Sequence, residues 1–155
     1  MRKQKGFSLI ELLIVVAIIL IIAAIAIPNL LKARIAANQA SAVGSLRTIV
    51  TSEVGYQSSY GVFSPTLAAL GGVQPCTSSA ATACLIDQTL ATATTAATGK
   101  SGYFFTYAAV PGGFTINGDP STPGTSGDMH YFTDNSGVIR FNAAAAATIA
   151  SPALQ

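Results

Sequence analysis

From Phe7 to Ile27 the chain runs 21 residues with only two polar side chains, Ser8 and Glu11. About 20 apolar residues cross the hydrocarbon core of a bilayer as a helix. A segment this apolar cannot be left in water, so it lies in a membrane or against other chains. The charge pattern gives it a direction. Arg2, Lys3 and Lys5 precede the run, and cations before a span favour keeping the short N-terminus in the cytoplasm. Lys32 and Arg34 follow and weaken the asymmetry, but the leading cluster is shorter and denser. Everything after Pro28 is therefore expected outside the cytoplasm. The formal charge of +2 belongs to the leader: without residues 1–6, five bases face six acids, −1 from side chains. Such a chain is not built to bind nucleic acid, and no nucleic-acid contact is inferred.

Periodicity continues beyond Pro28, which removes a helix hydrogen bond and is expected to kink the helix. Leu31, Ile35, Ala42, Leu46, Ile49, Val50 and Val54 recur at helical steps, with Lys32, Asn38, Gln39, Ser45, Arg47, Thr48 and Ser52 between them. That is an amphipathic helix with one apolar stripe, over 29–54. Gly55 and "YQSSYG" are expected to close it. A continuous helix from Phe7 to Val54 is about 70 Å long at 1.5 Å per residue. A chain of 155 residues has no core of that length. One half must serve a membrane or other copies, and the other must pack on a small head spanning 29–155.

Within the head, "SPTLAALGG" reads as a short helix with Ser64 as cap and Gly71 as stop. "TLATATTAATGK" is low in complexity and reads as an exposed loop. "GYFFTYAAV" (102–110), "GFTIN" (113–117), "MHYFTD" (129–134) and "GVIRFN" (137–142) are strand candidates separated by turn-forming segments. The fold class expected is α+β: a long N-terminal helix, half membrane-spanning and half amphipathic, packed on a small antiparallel sheet over about 102–142. The tail "AAAAATIASPALQ" has no strong pattern. Cys76 and Cys84 are the only cysteines and, outside the cytoplasm, are expected to form a disulfide, with two free thiols as the alternative. A lone His130 gives no metal site with them, and no cofactor is expected.

Glu11 is the anomaly. It could rest among headgroups, one turn below the start of the run. Alternatively, it has a cationic partner, since charge at membrane depth costs a few kcal/mol and is paired or functional. Apart from Lys5, the partner would be an α-amino group made by cutting the chain just before the run. Here "KGFSLIELLIVVAIILIIAAIAIP" resembles the N-terminus of a type IV pilin. A short basic leader ends in Gly6, Phe7 follows, Glu11 comes four residues later, and the apolar helix has a proline, Pro28, near its end. The match covers about the first 30 residues.

The resemblance implies a leader of residues 1–6 cleaved after Gly6 by a prepilin peptidase that also methylates the Phe7 amine. It implies a filament-core helix over 7–28 and pairing of Glu11 with the Phe7 amine of a neighbouring subunit. The partners are then other copies in a helical homopolymer and the assembly machinery of the inner membrane. The protein would wait there as a single-pass precursor before entering an extracellular filament. Leu20 departs from the glycine many pilins carry there.

Three alternatives compete. "AIA" (24–26) is a passable signal-peptide site, but the run is too long for one and contains Glu11. A type II secretion pseudopilin or a minor pilin shares the same N-terminus, and Asp128, Asp134 and Asn135 are the only oxygens that suggest a pseudopilin's calcium. An anchored enzyme would need more than His130, which reads as packing; no nucleophile or phosphate-loop motif accompanies it.

Overall fold

The computed structural model describes residues 6–154. Arg2, Lys3 and Lys5 lie outside the described residues. The elements in order are α1 (Leu9–Tyr60), α2 (Leu67–Leu70), α3 (Gln88–Ala91), β1 (Tyr103–Val110), β2 (Gly113–Pro120), β3 (His130–Asp134) and β4 (Arg140–Asn142). The chain divides into two compact units, Met1–Arg34 and Ile35–Gln155.

In the first unit, α1 is helical through Pro28. Its large apolar side chains are solvent-facing, from Leu31 at 43% exposed to Leu9 at 81%. None of its most apolar 18-residue window is buried within the chain.

The second unit is a helix laid on a sheet. Ala42, Ser45, Leu46, Ile49, Ser52, Glu53 and Tyr56 are the buried positions of α1, spaced by threes and fours so that they share one face. The sheet has the order β1-β2-β3-β4, antiparallel throughout. Because side chains alternate along a strand, Tyr103 and Phe105 of β1, Phe114 and Ile116 of β2 and Tyr131 of β3 share the inner face. They join Leu46 and Ile49 in one core with Leu67, Leu70 and Leu90. The inner face is aromatic where it meets the helix. Gly118, which pairs with both Phe105 and Tyr131, is small because a Cβ there would press on the Phe105 ring. Gly112 makes the tight β1–β2 turn with φ +76°, left-handed backbone that glycine adopts freely.

Each edge of the sheet makes backbone hydrogen bonds beyond the strands. The Phe105 N–H donates to the Ala93 carbonyl (2.7 Å) beyond β1. On the far side of β4, Phe141 N–H donates to Pro152 O (3.0 Å) and Leu154 N–H to Ile139 O (2.7 Å). The patternless tail is thus the strip that closes the sheet.

Four local expectations are corrected. Helix α1 does not close at Gly55 but runs to Tyr60, because Tyr56 is buried and packs against Tyr60 with ring centroids 4.6 Å apart. The stop is Gly61, with φ +78° and its N–H on Gln57 O at 2.8 Å. Val54, expected inside, is 60% exposed, while Glu53 beside it is fully buried. The cap of α2 is Thr66 rather than Ser64; its hydroxyl accepts from Ala69 N–H. Part of "TLATATTAATGK" is α3 and its exit, with Leu90, Ala91 and Ala93 buried rather than exposed.

Candidate functional site

Gly6, Phe7 and Ser8 precede the first helical turn and are exposed. Phe7 is 80% exposed, and a Cβ added at Gly6 meets nothing within 4 Å. Among the described residues, no contact requires glycine at position 6. The Gly6–Phe7 bond is open to an outside reagent.

Ser8 is the residue on which α1 begins. Its carbonyl accepts from Leu12 N–H (3.3 Å), and its own N–H donates to Glu11 Oε2 at 2.8 Å. This is the reciprocal half of a capping box: an acid three residues into the helix satisfies the backbone N–H of the cap residue. The carboxylate also sits at the positive end of the helix dipole. The signature Ser8-x-x-Glu11 was available in the sequence but was hidden behind the question of a partner for the charge. Glu11 therefore has an acceptor role within its own chain. Pro28 lies inside α1 and offers no N–H to the Ala24 carbonyl.

Cys76 and Cys84 are joined in a disulfide. The loop they close is fastened on several sides. Ala83, Cys84 and Leu85 N–H groups donate to the carbonyls of Ala69, Gly71 and Leu70. The Tyr56 hydroxyl donates to Ala80 O at 2.7 Å, tying the loop to α1. Gly72 leaves room for the sulfur, since a Cβ there would collide with Cys76 Sγ.

Of the remaining candidate side chains, His130 and Asp134 are separately engaged. His130 Nδ1 lies 2.6 Å from Asp119 Oδ1 across β2 and β3. Asp134 accepts from the Ser136 N–H (2.9 Å) and hydroxyl, forming the turn into β4. Asp128 is exposed on the preceding loop.

Sequence reasoning missed Glu53. Its carboxylate accepts from Ser64 N–H (3.0 Å) and from the Ser64 hydroxyl (2.5 Å). The Tyr107 hydroxyl donates to Ser64 O at 2.7 Å. Burial, with the nearby Glu53 carboxylate, pushes the Tyr107 phenol well above its ordinary range. The only available signal was spacing: 42, 46, 49, 53 and 56 trace one helix face, with an acid in the fourth place.

Residues 1–27 match the family model described as the prokaryotic N-terminal methylation motif. The chain is 54% identical over 57 residues to the type IV wide pilus major component PilA4 of Thermus thermophilus, covering 37% of this chain and 44% of that protein. It is 49% identical over 51 residues to the type IV major pilin protein PilA of Myxococcus xanthus, covering 33% of this chain and 23% of that one. The match spans less than half the length of either relative. No solved structure matches.

Proposed function

We propose that the chain is a type IV pilin, the repeating structural subunit of an extracellular filament built through its N-terminal helix. The observation that carries this reading is the uncovered run of α1. Its most apolar window has no cover in its own chain, and it begins in the methylation motif at residues 1–27. Both relatives are named as major pilus components. The role proposed is a structural one.

Each feature of the N-terminus then has a task. A prepilin peptidase cuts after Gly6, where the smallest side chain suits an enzyme subsite, since no contact among the described residues calls for it. The same enzyme methylates the Phe7 amine. Held in the inner membrane, the cleaved subunit keeps its run in lipid. On assembly the same surface packs against other copies, with Ala17, Ala23, Ala24 and Ala26 allowing close helix approach. Glu11 passes from capping its own helix to neutralising the amine of a neighbour. A subunit out of step would leave that amine unpaired in an apolar medium.

Cells expressing this chain should carry shearable filaments containing it, and mass spectrometry should find the mature N-terminus at methylated Phe7. An N-terminus at Met1 or Ile27, or filaments unchanged on deleting the gene, would overturn the reading.

A further inference from the structure

In the second unit the charged side chains are almost all engaged within the chain. Lys100 pairs with Asp87 at 2.8 Å, and His130 with Asp119 at 2.6 Å. Arg140 donates to Ser151 O (2.9 Å), Glu53 accepts from Ser64, and Asp134 accepts from Ser136. Among the described residues of this unit two side chains are left over, one of each sign: Arg47 and Asp128. They form no ion pair with each other.

Both are firmly mounted. Arg47 is on α1 and exposed. The loop leading to Asp128 is pinned by Asn38 Nδ2 donating to Ser126 O (2.8 Å), by Gly124 N–H donating to Gly127 O (3.0 Å) and by Thr122 N–H donating to Ser126 Oγ (2.9 Å). It cannot be padded, since a Cβ at Gly127 would run into the Tyr103 ring.

Arg47 stands at an open groove of about 410 Å³ whose walls include Ala40, Val43, Gly44, Tyr131 and Leu154. Gly44 is the odd residue there. Glycine within a helix costs about 1 kcal/mol relative to alanine, yet a Cβ at position 44 meets nothing within 4 Å. Its backbone conformation is helical and needs no glycine either. No contact among the described residues calls for glycine at position 44.

We propose that this groove seats a second copy of the chain, whose Asp128 meets Arg47. The occupant follows from charge: among the described residues of this unit, the anion left without a partner is Asp128, and the cation left at the groove is Arg47. One copy then offers Arg47 to one neighbour and Asp128 to another, a head-to-tail contact that propagates rather than closing at a pair. The pair fixes the register of the contact more than its strength. The inference rests on the filament reading, so the wild-type chain must first be shown in sheared filaments.

The test is a charge swap in cells whose only copy is the variant. Arg47→Asp and Asp128→Arg should each lose the sheared pool while the cleaved subunit stays in the membrane. The double variant, with the pair reversed, should regain filaments. Gly44→Leu, which projects into the groove, should also lose filaments with the membrane pool intact. As a second readout, filaments of Arg47→Lys, which keeps the charge, should give a ladder of linked copies under a zero-length carbodiimide, and the ladder should be absent from Arg47→Lys filaments that also carry Asp128→Asn. Normal filaments in both single charge variants, no recovery in the swap, or no ladder would overturn the contact while leaving the filament reading in place. Absence of filaments with the wild-type chain would instead remove the reading beneath it.

Discussion

Deleting the Glu53 side chain leaves the Ser64 N–H without an acceptor in a site sealed from water, because Ser64 is itself fully buried. The Ser64 hydroxyl still has Thr66 O at 3.1 Å, so one donor is orphaned rather than two. An unsatisfied buried donor costs about 1–3 kcal/mol. Glu53→Ala should lower the unfolding free energy by about that amount, and Glu53→Gln, which keeps an acceptor oxygen, should lose less. Urea titration of the two variants followed by tyrosine fluorescence measures this; equal stability of Glu53→Ala and wild type would mean the carboxylate holds nothing. The same residue shows a limit of pattern reading. Hydrophobicity places Val54 inside and Glu53 outside, but helix geometry and the arriving Ser64 backbone reverse them. No local rule in α1 announces a hydrogen-bond partner 11 residues downstream.

Elements were legible where local chemistry and burial agree. The strands β1, β2 and β3 were visible because aromatic and β-branched residues sit between glycine-rich turns, and their starts fall within a residue of expectation. Strand β4 is shorter because Gly137, at φ +73°, belongs to the turn, its N–H on Asp134 O at 3.0 Å. Helix α3 was hidden in a run of alanine and threonine whose composition says loop; Leu90 and Ala91 reach the core only because Asp87 starts a turn there. Asp87 caps it by accepting from Leu90 N–H at 2.8 Å and also binds Lys100, clipping both ends of the 88–99 segment. Lys100 above all, helped by the cap, holds the Asp87 carboxyl down at about 2, from the ordinary 3.8. A carboxyl depressed in the folded state stabilises fully above its unfolded pKa and stops doing so as pH falls through the folded one. Its contribution should therefore be complete above about pH 4 and fade toward pH 2. Asp87→Asn should narrow the stability gap to wild type across that window and leave it constant above. A gap independent of pH from 5 to 2 would show that the ion pair does not hold the segment.

At the scale of the whole molecule, the decisive feature is an apolar helical run with none of its most apolar window buried in its own chain. That uncovered run is the surface association is first expected to use. That much was readable from 21 residues of sequence; the position of Asp128, Arg47 and the closing tail was not, because it depends on contacts between residues far apart in the chain. In the proposed reading, Glu11 serves assembly through its charge. Its capping bond to Ser8 N–H makes Glu11→Ala an impure test, since alanine removes both charge and cap. Glu11→Gln separates them, because glutamine fills the same place in a capping box without a charge. The most direct measurement is the ratio of sheared filament to membrane-held, cleaved subunit in cells whose only copy is Glu11→Gln. Loss of the filament pool with the membrane pool full, as severe as in Glu11→Ala, is the expected result. Normal filaments with Glu11→Gln would contradict it and leave Glu11 as the cap of its own helix.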